Sequence, residues 1–87
     1  MNIYVGNLNY NLSEDELRSI FEEFGEVTSA KIIIDKYSGR SKGFGFVEME
    51  NQAEASHAIK ELDGASYENR KMMVNEARPK KQTYSTY

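Results

Sequence analysis

Three aromatic residues, Tyr4, Phe44 and Phe46, stand in two short segments of alternating character, Asn2-Ile3-Tyr4-Val5-Gly6 and Gly43-Phe44-Gly45-Phe46-Val47. Alternation with period two marks a strand with one covered and one open face. Ile3, Val5, Val47 and Met49 make the covered set, which leaves the three rings on the open side. A solvated strand face is ordinarily polar, so three rings together read as a platform rather than as scattered surface hydrophobes. Flat rings on a flat sheet suit ligands with π-faces of matching size. Unpaired nucleobases are the foremost such class, at roughly 1–3 kcal/mol per stacked base. Gly43 and Gly45 flank the rings and are expected to let an extended ligand lie close.

The 87-residue chain has a net charge of −3, which by itself argues against a polyanionic partner. The distribution argues otherwise. Residues 1–30 set Arg18 against six acids, and residues 48–69 set Lys60 against six more. Residues 31–47 hold Lys31, Lys36, Arg40 and Lys42 against Asp35, and residues 70–87 hold Arg70, Lys71, Arg78, Lys80 and Lys81 against Glu76. If the acidic blocks form one layer and the basic blocks another, the molecule has a basic face despite its acidic total.

Other chemistries find little to work with. Cysteine is absent, which removes disulfides, thiolate metal sites and a thiol nucleophile. The one histidine, His57, falls off the apolar stripe of its helix and reads as a surface residue. Gly43-Phe44-Gly45 lacks the third glycine of a dinucleotide loop and lies inside a strand, and residues 39–42 do not match a P-loop. No nucleophile–base pair can be proposed, so the chain is expected to bind rather than catalyse, with no cofactor and no metal. The longest apolar runs are three or four residues, far short of the ~20 that span a bilayer. A cytoplasmic protein without a membrane partner is expected, acting as a monomer.

The elements that must position these residues follow from local signals. After the first strand, Ser13 and Glu16 form a capping box, with Leu12 and Leu17 as the hydrophobic staple. Leu17, Ile20, Phe21 and Phe24 then make one helical stripe, stopped at Gly25. Residues 27–34 read as a second strand with Ala30, Ile32 and Ile34 inward, residues 35–42 as a hairpin loop, and residues 43–49 as a third strand. A second helix starts at Asn51, with Glu54 in the capping-box position, and carries Ala55, Ala58, Ile59 and Leu62 as far as Gly64. Residues 71–77 form the last strand, with Met72 and Val74 inward, and Pro79 closes it. The order is β-α-β-β-α-β, an α+β ferredoxin-like arrangement: a four-stranded antiparallel sheet with two helices on one face. One domain spans residues 1–79, and residues 80–87 form a short polar tail.

At this point the chain resembles a known family. Lys42-Gly43-Phe44-Gly45-Phe46-Val47-Glu48-Met49 is similar to the octamer signature of the RNA recognition motif, agreeing at seven of eight positions. Met49 stands where the consensus has an aromatic, at a position that alternation turns to the core. Ile3-Tyr4-Val5-Gly6-Asn7-Leu8 likewise resembles the family's hexamer on the first strand. The resemblance covers about residues 2–79 and is closest to small bacterial RNA-binding proteins and to plant glycine-rich ones without their glycine-rich tail. It implies a single-stranded RNA-binding protein acting as a post-transcriptional regulator or RNA chaperone. Carried over residue by residue, it implies bases stacked on Tyr4 and Phe46, a sugar against Phe44 and a phosphate at Lys42. It further implies base contacts at Asn75, Ala77 and Arg78 through side chain or backbone. Lys31 and Arg78, from the basic blocks, are expected near phosphates as well. Met73 lies on the open face where many relatives carry a charge.

Competing readings bear on the same residues. The rings could instead be covered by a C-terminal helix or a partner protein, although the tail after Pro79 is short for a helix. A protein-interaction domain of the same fold would use the aromatic face or the helices. Single-stranded DNA is a further candidate, since stacking is blind to the sugar. Tyr10 is expected to pack beneath the entry to the first helix rather than to bind. Fold alone decides none of this.

Overall fold

The computed structural model describes residues 1–77. Its elements are β1 (Asn2–Gly6), α1 (Glu14–Glu22), β2 (Ser29–Ile34), β3 (Ser41–Glu48), α2 (Gln52–Leu62), β4 (Ser66–Tyr67), β5 (Arg70–Lys71) and β6 (Met73–Glu76). The main sheet runs β2-β3-β1-β6 and is antiparallel throughout. Helix α1 packs against β2 and α2 against β6, both on one face, as the single apolar stripe of each helix requires. The expected ferredoxin-like α+β sandwich is present, with one addition, the small β4–β5 hairpin.

The core lies between the helices and the inward strand positions. Ile3 and Val5 of β1, Val47 and Met49 at the end of β3, and Val74 of β6 are closed off by Leu17 and Phe21 of α1 and by Ala55 and Ala58 of α2. Burying each of the larger side chains is worth about 1.5–3 kcal/mol. Among the described residues no polar or charged side chain is buried.

Local chemistry starts α1 where the residue types demand. Ser13 Oγ accepts from the Glu16 backbone N–H at 3.1 Å, and Glu16 Oε1 accepts from the Ser13 N–H at 2.9 Å. This satisfies two otherwise orphaned donors, and such a cap is worth about 1 kcal/mol. Glu14, Asp15 and Glu16 place negative charge at the positive end of the helix dipole. The helix ends at Glu22, short of Gly25, in a tight turn closed by Phe24 N–H donating to the Phe21 carbonyl. At Asn51 only half of the expected box forms. Its side chain accepts from the Glu54 N–H at 2.9 Å, while the Glu54 carboxylate leans against Gly25, where a Cβ would collide with it.

Three local features depart from simple alternation. Ile32 pairs with Gly45 and Ile34 with Ser41, so residues 42–44 of β3 stand opposite Ile33 alone. Gly43, at φ 85°, supplies the left-handed backbone that this bulge uses. Ile34, expected in the core, is 49% exposed, because it lies past the N-terminus of α1, where nothing covers it. The β4–β5 hairpin turns on Glu68 and Asn69, both at positive φ (50° and 68°), the geometry of a two-residue turn that favours glycine and asparagine. Gly64, also left-handed at φ 86°, follows α2, whose Asp63 carboxylate accepts from the Val74 N–H at 3.0 Å and so ties the helix end to β6.

Candidate nucleic-acid interface

The register of the sheet sets four side chains in one line across it. Lys31 of β2 pairs with Phe46 of β3, Phe46 with Tyr4 of β1, and Tyr4 with Asn75 of β6. All four belong to the face opposite the helices, and Phe44 stands next to them on β3. The rings hold one another by their edges. Tyr4 and Phe46 have centroids 5.9 Å apart at 64°, Phe44 and Phe46 6.2 Å apart at 89°, and Tyr4 and Phe44 5.9 Å apart at 34°. Tilted and edge-on contacts are the favoured geometry for aromatic quadrupoles and keep the rings from collapsing into a stack among themselves. Phe46 remains 39% exposed, with Tyr4 and Phe44 half-buried beside it.

Glycines shape this platform differently from expectation. Gly45 and Gly43 are buried, so they do not make room for a ligand. A Cβ at Gly45 would come within 2.2 Å of the Lys31 carbonyl oxygen, and one at Gly43 within 3.0 Å of the Tyr10 ring. Their lack of a side chain admits neighbouring parts of the chain itself. The glycine that serves the open face is Gly6: the Tyr4 ring lies over it, and a Cβ there would stand 2.5 Å from the Tyr4 hydroxyl. Met73, paired with Gly6, is 55% exposed and extends the apolar surface onto β6.

The polar residues expected at the site fall around the rings. Lys31, Lys42 and Asn75 are exposed, and the Asn75 side-chain amide can both donate and accept. Ala77 is half-buried, and its backbone N–H donates to the Asn2 carbonyl at 2.8 Å, which fixes the chain at the end of β6 beside β1. Arg78, Lys80, Lys81 and the polar tail lie outside the described residues. Among the described residues the ion pair Arg18–Glu22 lies within α1, and His57 stands 3.7 Å from Glu61 within α2. The lysines of the sheet are therefore not neutralised by a partner there. The helices carry the acids, with Glu14, Asp15, Glu16 and Glu22 on α1 and Glu54 and Glu61 on α2; on the nearby hairpin, desolvation, and then the carboxylates of Glu16 and Glu68, push the Tyr67 phenol above its usual range. Glu48, paired with Asn2 and Ser29, is an acid on the open face, one row beyond the rings.

One group of residues was not foreseen. Arg70 donates through Nη2 to Asn7 Oδ1 at 2.9 Å and through Nε to the Asn7 carbonyl at 3.4 Å. Asn7 Nδ2 donates to the Lys71 carbonyl at 2.6 Å. The Arg70 guanidinium stands 5.6 Å from the centre of the Tyr10 ring. Tyr10 is 61% exposed, contrary to the expectation that it packs beneath α1. The short segment after β1 turns outward at Asn7, which adopts φ 57°, and carries the ring to the end of the sheet.

Comparison with known proteins agrees with the geometry. The family model described as "RNA recognition motif" matches residues 3–73. RbpE of Nostoc sp. is 48% identical over 82 residues, covering 94% of this chain and 83% of that protein. The chloroplastic 28 kDa ribonucleoprotein of Nicotiana sylvestris is 46% identical over 84 residues, of which this chain spans 30% of the length. The crystal structure of RNA Binding Protein PG1 superposes with a TM-score of 0.87 at 51% identity, covering 92% of this chain and 99% of that one. Both strand signatures lie on neighbouring central strands, the sandwich has the matching order, and the family model covers most of the chain: it belongs to the RNA recognition motif family.

Proposed function

We propose that the protein binds single-stranded RNA across the open face of its sheet, as a rigid platform for roughly two to four nucleotides. The observation that carries the reading is the line Lys31–Phe46–Tyr4–Asn75 with Phe44 beside it: stacking surface in the middle, a cation at one end and an amide at the other. Bases stack on Tyr4 and Phe46, and a sugar rests against Phe44. Asn75 and the Ala77 carbonyl read base edges, and Lys31 and Lys42 meet phosphates. The similar solved structures include a Sex-lethal protein/RNA complex, at 31% identity and a TM-score of 0.85 over 90% of this chain and 47% of that one, which supports the same use of the fold.

The platform is edge-locked before any ligand arrives, so little ordering cost falls on the protein side. Acids on the helix side and lysines on the sheet side orient an approaching polyanion toward the rings. The reading is of a binder without a chemical step, acting after transcription, in the cytoplasm and as a monomer.

Two measurements test it. Lys42→Ala is expected to reduce the slope of log affinity against log salt by about 0.7, the value for one phosphate contact on a single strand. An unchanged slope removes Lys42 from the site. Wild-type protein that fails to bind any degenerate single-stranded RNA at low salt, or that binds only DNA of the same sequence, would overturn the RNA reading.

A further inference from the structure

The chain contains four methionines and no cysteine, so all of its sulfur is thioether. The fold treats the four unequally. Met49 is fully buried and Met72 is 3% exposed, both inside the core. Met1 is half-buried and packs against the core at the start of β1. Met73, by contrast, is 55% exposed. Met72 and Met73 are consecutive, so the period of two sends one sulfur into the core and the other to the open face.

Its place on that face is beside the rings. Met73 pairs with Gly6, and Asn75, two residues on along the same face, pairs with Tyr4. The Tyr4 ring extends over Gly6, so near that an added Cβ there would meet its hydroxyl at 2.5 Å. Met73 therefore stands across from the hydroxyl end of that ring, at the spacing of a directly paired neighbour, about 4.5–5.5 Å between Cβ positions. An unbranched, polarisable thioether at this point adapts to whatever lies on Tyr4. Oxidation replaces that soft apolar tip with a polar, chiral one.

We propose that Met73 is an oxidation site, and that a hydroperoxide acting there weakens RNA binding by the platform. The sulfur lone pair attacks the terminal peroxide oxygen: an S–O bond forms and the O–O bond breaks. The departing oxygen takes the proton of the transferred one and leaves as water, or as an alcohol from an organic peroxide. Sulfur loses two electrons and the peroxide gains them. The new sulfoxide oxygen is the negative end of a dipole, which packs poorly on an apolar face and repels a nearby phosphate. Met49 and Met72 are kept from the oxidant by the core. The selectivity of oxidation follows from burial alone, whereas its effect on binding rests on the platform reading.

Titration of the folded protein with hydrogen peroxide, removed by catalase before labelled degenerate single-stranded RNA is added, tests both parts. Peptide mapping by mass spectrometry is expected to find the first added oxygen on Met73, with Met49 and Met72 unmodified. Protein oxidised at Met73 is expected to bind RNA about three- to tenfold more weakly than untreated protein. Methionine sulfoxide reductases with a thiol reductant are expected to restore the original affinity. Met73→Leu keeps an apolar side chain without sulfur, and its affinity is expected to be the same before and after peroxide. Three outcomes overturn the inference and leave the platform standing: oxidation that reaches Met1, Met49 or Met72 first, unchanged affinity of the Met73 sulfoxide, or a Met73→Leu variant that still responds to peroxide. Untreated protein that binds no single-stranded RNA overturns the platform reading, and the effect on binding falls with it.

Discussion

Phe46→Ala is expected to weaken binding of single-stranded RNA by about 1–3 kcal/mol, roughly five- to 150-fold in Kd, while the domain stays folded. The asymmetry follows from where the ring sits. Its 39% exposure means that much of its surface already faces solvent, and its contacts are the edges of Tyr4 and Phe44. The residues that hold β3 to the core are its neighbours of opposite parity, Gly45 and Val47, which are buried. Truncation therefore removes a stacking surface without opening a cavity under the helices. Anisotropy titration together with a thermal melt checks both halves. A folded variant with unchanged affinity removes Phe46 from the site.

Gly45→Ala is expected to do the reverse and damage the fold. A Cβ at this position would lie 2.2 Å from the Lys31 carbonyl oxygen, and 3.2 Å from both the Lys31 carbonyl carbon and the Ile32 Cα. All three are backbone atoms of the adjacent strand, so no rotamer change relieves the clash. β2 must move away from β3, and the pairs Lys31–Phe46 and Ile32–Gly45 loosen together. Overpacking of this kind costs about 1–3 kcal/mol, sometimes more. A domain of this size has only about 5–15 kcal/mol in total. At about 4–8 °C per kcal/mol, a fall in melting temperature of about 4–24 °C is expected. A melt within about 2 °C of wild type would show that β2 can shift freely at the bulge. Gly6 differs in kind: the atoms in its way belong to the tip of the Tyr4 ring, which can swing aside.

The legible parts of this fold were the local ones. The Ser13–Glu16 box was visible because both of its bonds join residues three apart. The division of Ile3, Val5, Val47 and Met49 from Tyr4, Phe44 and Phe46 followed from alternation alone, and the structure keeps the first set buried and the second on the open face. What alternation could not supply was anything set by a neighbouring strand. Gly45 resembles a space left for ligand until the Lys31 carbonyl is found occupying it. Ile34 keeps the spacing of a core residue but lies past the end of the helix that would cover it. The β4–β5 hairpin was missed because its turn residues, Glu68 and Asn69, take left-handed backbone without the glycine that usually announces it. The Asn7–Arg70 bonds join residues 63 apart, and no local pattern marks either partner. Of the expected site residues, Tyr4, Phe46, Lys31 and Asn75 meet across the register with Phe44 beside them, Lys42 and Ala77 lie at strand ends, and Arg78 is outside the described residues.

Anisotropy of a labelled degenerate single-stranded RNA, titrated at one fixed salt concentration with wild type and with the Tyr4→Ala/Phe44→Ala/Phe46→Ala variant, tests the platform most directly. The wild type is expected to bind, and the triple variant, shown to be folded by its circular dichroism and melt, to lose that binding. A folded triple variant that keeps wild-type affinity would contradict the assignment of the open sheet face as the RNA site.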